Sequence, residues 1–223
     1  MFTSFDFTIT MKKAVCGIIV ALPILSWAGA DYVYVVRFSQ GDMSGWQEKV
    51  FIGETRYVLQ NAGEQLALRA DSHASASGRY RKINIDLDST SILNWMWRVD
   101  NTLGDIDERT RMGDDYAARV YVVFSNGWAF WHTRSINYVW SSNQPVGAHW
   151  PNALTPNVRM IAIESGNNKL GQWIKEKRDV HADFQHLFGE VSKQVDAVAI
   201  MTDTDNTGGT ATAWYGDIWF SSR

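Results

Sequence analysis

Along most of the chain, apolar and polar side chains alternate at a period of two, the mark of half-buried β-strands. The clearest run is Leu93 to Asp100, with Leu93, Trp95, Trp97 and Val99 on one face and Asn94, Arg98 and Asp100 on the other. Similar β-rich runs occupy Tyr32–Phe38, Arg56–Gln60, Gln65–Ala70, Arg79–Leu87, Tyr116–Phe124, Ala129–Thr133, Ile136–Trp140, Val158–Ser165, Val195–Thr202 and Thr212–Phe220. Short strands in such number, divided by Gly, Asn, Asp and Ser, predict an all-β fold, a jelly-roll-type antiparallel β-sandwich. One stretch changes period. Val180, Phe184, Leu187 and Phe188 recur at three to four and Gly189 supplies a stop, so a short helix is expected over Val180–Phe188. Between Val146 and Asn157, Gly147, Pro151 and Pro156 predict a long excursion over a sheet edge.

The start of the chain follows another logic. Met11-Lys12-Lys13 opens a charged segment, Ala14 to Trp27 is apolar, and Ala28-Gly29-Ala30 offers a small-residue cleavage site. Residues 1–30 are therefore expected to be a signal peptide, with Met1 or Met11 as the initiator. The apolar run is short of the roughly 20 residues that span a bilayer, so no integral membrane anchor is expected after cleavage. Residues 31–223 carry no linker or repeat and are expected to form a single β-sandwich domain, periplasmic or secreted. Cleavage also removes Cys16, the only cysteine, so neither a disulfide nor a thiol nucleophile is expected.

Charge narrows the partners. The whole chain carries −3, and loss of Lys12, Lys13 and Asp6 makes it −4, which argues against nucleic acid. Tryptophan is the compositional outlier, at 11 residues. Trp95 and Trp97 alternate into a core face, Trp46, Trp214 and Trp219 sit in structural-looking segments, and Trp27 leaves with the signal peptide. Trp128, Trp131, Trp140, Trp150 and Trp173 remain to meet a ligand, since aromatic faces stack on the C–H faces of sugars.

Three constellations could carry chemistry. In Gly113-Asp114-Asp115-Tyr116-Ala117-Ala118-Arg119, strand register puts Asp115, Arg119 and Tyr121 on one face and Tyr116, Ala118 and Val120 on the core face. An outward arginine could clamp a carboxylate or sugar hydroxyl, or Asp114 or Asp115 could pair with Arg119 or Arg98 to hold register. The turn Thr202-Asp203-Thr204-Asp205-Asn206-Thr207 presents alternating oxygens like a calcium loop. Its twelfth position is Trp214 rather than Glu, which excludes an EF-hand. Asp203, Asp205 and a helping Asp217 remain as a candidate structural Ca²⁺ site, against the plainer reading of a polar hairpin turn. Third, Glu164 precedes the charged run Lys175, Glu176, Arg178, Asp179 and Asp183. Asp114, Asp115 and Glu164 could supply the acid and base of a glycan hydrolase or lyase, while a charged entry to a solvated helix is the default. His73, His132, His149, His181 and His186 show no HExxH spacing, and no G-x-S-x-G elbow occurs.

Taken in order, these segments resemble a family of secreted bacterial proteins described only as a domain of unknown function. The matching stretches run from Phe38 and Gly45-Trp46 through Phe51-x-Gly53-x-Thr55-x-Tyr57, Ala74-Ser75-Ala76-Ser77-Gly78 and Trp95-Met96-Trp97-Arg98-Val99. They continue through Gly113 to Tyr121, Tyr138-Val139-Trp140, Arg178-Asp179-Val180, Asp183-Phe184, Phe188-Gly189 and Thr202 to Thr207. The closing Ala213 to Phe220 is also similar to the last strand of galactose-binding-like jelly rolls, which implies glycan binding and a structural Ca²⁺. Gly216 stands where the first of that pattern's two acids would fall. The expected function is binding of a carbohydrate or another polar cell-envelope ligand, with Arg98, Asp114, Asp115, Arg119, Trp140, Glu164, Asp203 and Asp205 as candidate contacts. An enzyme using Asp114, Asp115 or Glu164, and a structural or partner-binding envelope protein, are the alternatives.

Overall fold

The computed structural model describes residues 32–126 and 129–223. The expected signal peptide and Trp128 lie outside the described residues. Among the described residues, thirteen strands and one α-helix follow one another. The first half holds β1 (Tyr32–Val36), β2 (Gln47–Ile52), β3 (Arg56–Ala62), β4 (Gln65–His73), β5 (Ala76–Asp86), β6 (Ile92–Val99) and β7 (Ala118–Asn126). The second holds β8 (Ala129–Ser141), β9 (His149–Pro151), β10 (Val158–Ser165), β11 (Ile174–Asp179), α1 (Val180–Phe188), β12 (Gln194–Asp203) and β13 (Thr210–Ser221). They form an all-β sandwich of jelly-roll type. One sheet has the order β11-β6-β13-β4-β3, with β1 also pairing β13, and the other runs β2-β5-β12-β7-β8-β10-β9. Every pair is antiparallel except β8 with β10, so the second sheet is mixed rather than purely antiparallel. No helix among the described residues is long and apolar enough to cross a membrane.

Alternation decides what the sandwich encloses. Trp95 and Trp97 on β6 are both fully buried and pack edge to face with ring centroids 5.4 Å apart. Across the interior they meet β8, Trp95 stacking on Tyr138 at 5.4 Å and Trp97 meeting Trp140 edge to face at 5.9 Å. Aromatic rings of this size bury on the order of 150–250 Å² each, which makes the four a main weld between the sheets. Helix α1 keeps its expected bounds. Asp179 caps it by accepting the Ala182 N–H at 3.2 Å, Gly189 ends it at φ +69°, and Val180 and Phe184 enter the core.

Four expectations change. β2 lacks a core face, every residue being exposed, and β11 reads Ile-Lys-Glu-Lys-Arg-Asp; both are sheet edges, where charge protects against further pairing and hides the period. The expected loop excursion contains β9, which pairs antiparallel with β10 through Trp150 and Met160. Ala129–Thr133 and Ile136–Trp140 are one strand, β8. Finally, β7 starts at Ala118, so Tyr116 escapes strand register and packs on the outer face with Val139, Trp150, Met160 and Ala162.

Candidate functional site

The outer face of the seven-stranded sheet carries a groove. β12 sends Val198 and Ile200 into the core, leaving Ala199, Met201 and Asp203 outward, and β7 likewise buries Val120 and Val122 and presents Arg119 and Tyr121. Two adjoining hollows of about 270 and about 430 Å³ share Phe51, Tyr121 and Met201. The smaller is an apolar trough formed by Phe51, Tyr80, Tyr121, Ala199 and Met201 around Gly78. Gly78 matters for its depth, because a Cβ there would sit 3.0 Å from the Ile200 carbonyl oxygen. Phe51, at the edge, is 62% exposed. The larger hollow is walled by Asp114, Arg119, Asp203, Asp205, Asn137 and Asn152, with Leu154 and Thr155 on its lip.

The acidic wall is built by two loops locked together. The Arg119 guanidinium lies in the Asp203 carboxylate, its Nε donating at 2.8 Å to Oδ1, and its Nη2 also donates to the Asp114 carbonyl oxygen at 2.8 Å. Its plane lies 4.4 Å from the centroid of Tyr116. Burial works against the cation, but Tyr121, Asp114, Tyr116 and Asp115 hold it above its ordinary pKa. Asp115 is fully buried and accepts from Asn206 N and Nδ2 at 3.2 Å and from Thr207 N at 2.7 Å. Asp203 N–H donates to the Tyr116 carbonyl at 3.2 Å. Gly113 permits the turn before Asp114, since a Cβ there would lie 2.3 Å from the Asp107 carbonyl oxygen. Behind the wall runs a hydroxyl network in which Thr55 Oγ1 donates to the Thr202 carbonyl at 2.8 Å and Ser72 Oγ meets Thr204 Oγ1 at 2.9 Å.

Not all candidate residues meet. Asp114, Asp115, Arg119, Asp203 and Asp205 come together as above, and Arg98 does not join them. It lies on the opposite sheet, donating to Asp100 at 2.7 Å and, with Arg69, flanking the Trp214 ring at 5.8 and 5.3 Å. Trp140 is a core residue, 1% exposed, whose indole N–H donates to the Gly166 carbonyl. Trp150 is buried, with Arg109 over its ring at 5.8 Å, and Trp173 lies beside Gly216 on the other sheet. The Trp131 side chain lies outside the described residues. Glu164 is buried by a register shift between Ala162 and Glu164 and takes the Lys169 ammonium at 2.6 Å, away from the groove. Of the three carboxylates expected to serve a hydrolase, Asp114 lines the larger hollow, whereas Asp115 and Glu164 line neither of the two.

The expected calcium ligands also divide. Asp217 belongs to the shift in β13 between Tyr215 and Ile218, where it accepts Ser39 N at 2.8 Å and Ser39 Oγ at 2.6 Å. Asp115 takes its place: ligand oxygens of Asp115, Asp203 and Asp205 converge within 4.8 Å. The fit to Ca²⁺ is poor, because N–H donors already occupy both oxygens of Asp115 and Arg119 occupies Asp203, leaving Asp205, which takes a long hydrogen bond from Asn206 Nδ2 at 3.5 Å. Burial, and then the Asp115 charge, push the Asp205 carboxyl up from its ordinary pKa.

Sequence reading missed Phe51 and Tyr80, because an exposed edge strand and a single outward tyrosine carry no pattern. It also missed Glu108, a fully buried carboxylate that holds Ser141 and accepts Ser142 N at 2.6 Å. Burial raises its pKa against those hydrogen bonds.

Fold and groove together define a jelly-roll-type β-sandwich protein with a ligand-sized groove on one sheet face. The chain belongs to the family described as protein of unknown function (DUF3047), whose model matches residues 44–219. No curated protein matches it. Solved structures similar to it include a family 11 carbohydrate-binding module of a cellulosomal cellulase from Clostridium thermocellum, at 7% identity and TM-score 0.46, covering 87% of this chain and 95% of that one. A xylan-binding domain from Paenibacillus barcinonensis aligns at 12% identity and TM-score 0.39, over 88% and 99% of the two chains. The xyloglucanase domain of NopAA from Sinorhizobium fredii, solved with cellobiose, aligns at 12% identity and TM-score 0.44, over 82% and 96%.

Proposed function

We propose that the protein binds a carbohydrate in this groove without performing chemistry on it. The observation that carries the reading is the groove's two-part lining: outward Tyr80, Tyr121 and Phe51 offer flat apolar surface, and Asn137, Asn152 and Asp205 offer polar groups beside it. Sugar rings need both, an aromatic face for their C–H surface and polar partners for their hydroxyls. Binding is favoured over hydrolysis because Arg119 and the Asp203–Thr207 turn already engage Asp203 and Asp115, while Glu164 is paired with Lys169. Export to the periplasm or medium is part of the same proposal; a processed protein beginning at Asp31 in the envelope or culture fluid is the expected finding.

Titration with a glycan panel, followed by tryptophan fluorescence and calorimetry, tests the reading. Saturable binding that weakens in Tyr121→Ala is the expected result. No heat and no spectral change with any glycan would remove it.

A further inference from the structure

Away from the groove, two histidines from distant parts of the chain meet at a sheet edge. His149 lies on β9, the outermost strand of the seven-stranded sheet, and His186 lies in the last turn of α1. Trp150 beside it joins Tyr116 and Met160 on the outer face, so alternation turns His149 the other way, toward α1. The two imidazole centroids stand 5.1 Å apart with their planes at 82°. Both side chains are exposed, and among the described residues neither ring makes a hydrogen bond or an ion pair. The spacing suits a chelate. Two imidazoles that each give one nitrogen to a tetrahedral ion at about 2.0–2.1 Å hold their ring centres about 5 Å apart. Both supports are ordered: β9 pairs with β10 from Arg159 to Ile161, and α1 is anchored by buried Val180 and Phe184 and closed by Gly189. The negative end of the α1 dipole lies in the same turn as His186 and favours a cation there. Neighbouring arginines are turned to other partners. Arg134 pairs with Glu190 and lies 5.0 Å from the Phe188 ring, and Arg159 lies 5.7 Å from the same ring.

We infer that His149 and His186 form a surface site for a late first-row divalent cation, Cu²⁺ ahead of Zn²⁺, which clips α1 to the edge strand β9. Imidazole ligands without a carboxylate select such ions over Ca²⁺ and Mg²⁺, and Cu²⁺ heads the affinity order. Among the described residues the one convergent group of three acidic or histidine ligands is Asp115, Asp203 and Asp205. The histidine pair therefore supplies two ligands, and water fills the other positions. Neither histidine lines the groove, so the site stands whatever the groove binds.

The chelator-treated full chain is titrated by calorimetry with Cu²⁺ and with Zn²⁺ at about pH 7.5, where both imidazoles are neutral. Zn²⁺ should bind with a Kd on the order of 10 µM and Cu²⁺ at least about tenfold more tightly, with no competition from Ca²⁺. His149→Gln and His186→Gln should each weaken binding about tenfold or more. The double variant should lose little beyond either, because the two rings serve one ion. His73→Gln, on the other sheet, should change nothing. Saturating Zn²⁺ should raise the wild-type Tm by a few degrees and leave that of either variant in place. The electron spin resonance of bound Cu²⁺ should show coupling to two imidazole nitrogens, a reading that needs no variant. Additive losses would mean two separate single-histidine contacts and overturn the chelate. Binding that survives the double substitution, or a Cu²⁺ spectrum with oxygen ligands alone, would assign the ion elsewhere and overturn it as well. No binding of either ion below about 1 mM would reduce the pair to a ring contact and remove the inference.

Discussion

Replacing Glu176 with glutamine should stabilise the protein at neutral and alkaline pH and leave it unchanged in acid. Glu176 lies on β11, partly buried, where Oε1 accepts the Trp97 indole N–H at 3.1 Å. Burial raises its carboxyl from 4.5 to about 7; the Trp97 hydrogen bond opposes the rise, Glu164 adds to it, and Lys169 and Arg178 relieve it slightly. In the unfolded chain the group ionises near its ordinary value. Between pH 4.5 and about 7 the folded state therefore keeps a proton that the unfolded state has lost, and stability falls as pH rises through that window. At about 1.4 kcal/mol per pH unit the full span amounts to about 3.4 kcal/mol, and solvent screening of a partly exposed group reduces it to about 1–2 kcal/mol. Glutamine keeps the carbonyl acceptor for Trp97 and never charges. Urea unfolding of wild type and Glu176→Gln at about pH 4, 6 and 8 isolates this group, since other titrating carboxyls such as Glu108 cancel in the difference. The variant should match wild type at the lowest pH and gain about 1–2 kcal/mol at the highest, or about 2–8 °C in Tm. A loss at high pH would mean that Glu176 makes a favourable ion pair with Lys169 or Arg178 and would refute the reasoning.

Further outcomes follow from the same structure. Tyr121→Ala should weaken glycan binding about five- to thirtyfold, roughly 1–2 kcal/mol of lost stacking, measured by calorimetry. Arg119→Met should lower unfolding free energy by about 3–5 kcal/mol in urea, because it strands Asp203 among buried surroundings. Trp140→Ala should cost about 3–5 kcal/mol of stability through the cavity it leaves against Trp97, a loss that thermal unfolding would show with no glycan present. Added Ca²⁺ at about 100 µM should leave Tm within about 1 °C of the chelator-treated protein, whereas a tight structural site would raise it by several degrees.

The fold was largely legible because its interior strands obey the period of two. Trp95, Trp97, Val198 and Ile200 alternate as a buried sheet face requires, and α1 announces itself through Val180, Phe184 and its Gly189 stop. What stayed hidden lies at edges and irregularities. β2 and β11 have no apolar stripe to display, β9 is too short to show one, and the shift beside Glu164 turns a polar strand end inward. The site was half legible for a related reason. Arg119 and the Asp203–Asp205 turn advertise charge, but which charges meet depends on strand order, and β7 and β12 are distant in sequence while adjacent in the sheet. Arg98 and Asp217 carry the same chemistry on the other sheet, where composition alone cannot separate them.

The family motifs themselves show how this division of labour arises. Asp115 of one motif is spent on Asn206 and Thr207 of another, and Arg119 on Asp203, while Gly113 is required by the Asp107 backbone beneath it. Ser72, Thr55 and Thr204 then back the same corner with hydroxyl bonds. Such interlocked residues set a wall in place without needing a ligand, since each buried polar group finds its partner within the protein. Asp114 Oδ1, which takes no hydrogen bond, is held instead by the Arg119 guanidinium, whose Nη1 stands 3.6 Å away in a buried ion pair. What this interlocking leaves turned toward the groove is Asp205 at its acidic end and Tyr80, Tyr121 and Phe51 in the trough, so the proposed binding is tested at these side chains rather than at the wall.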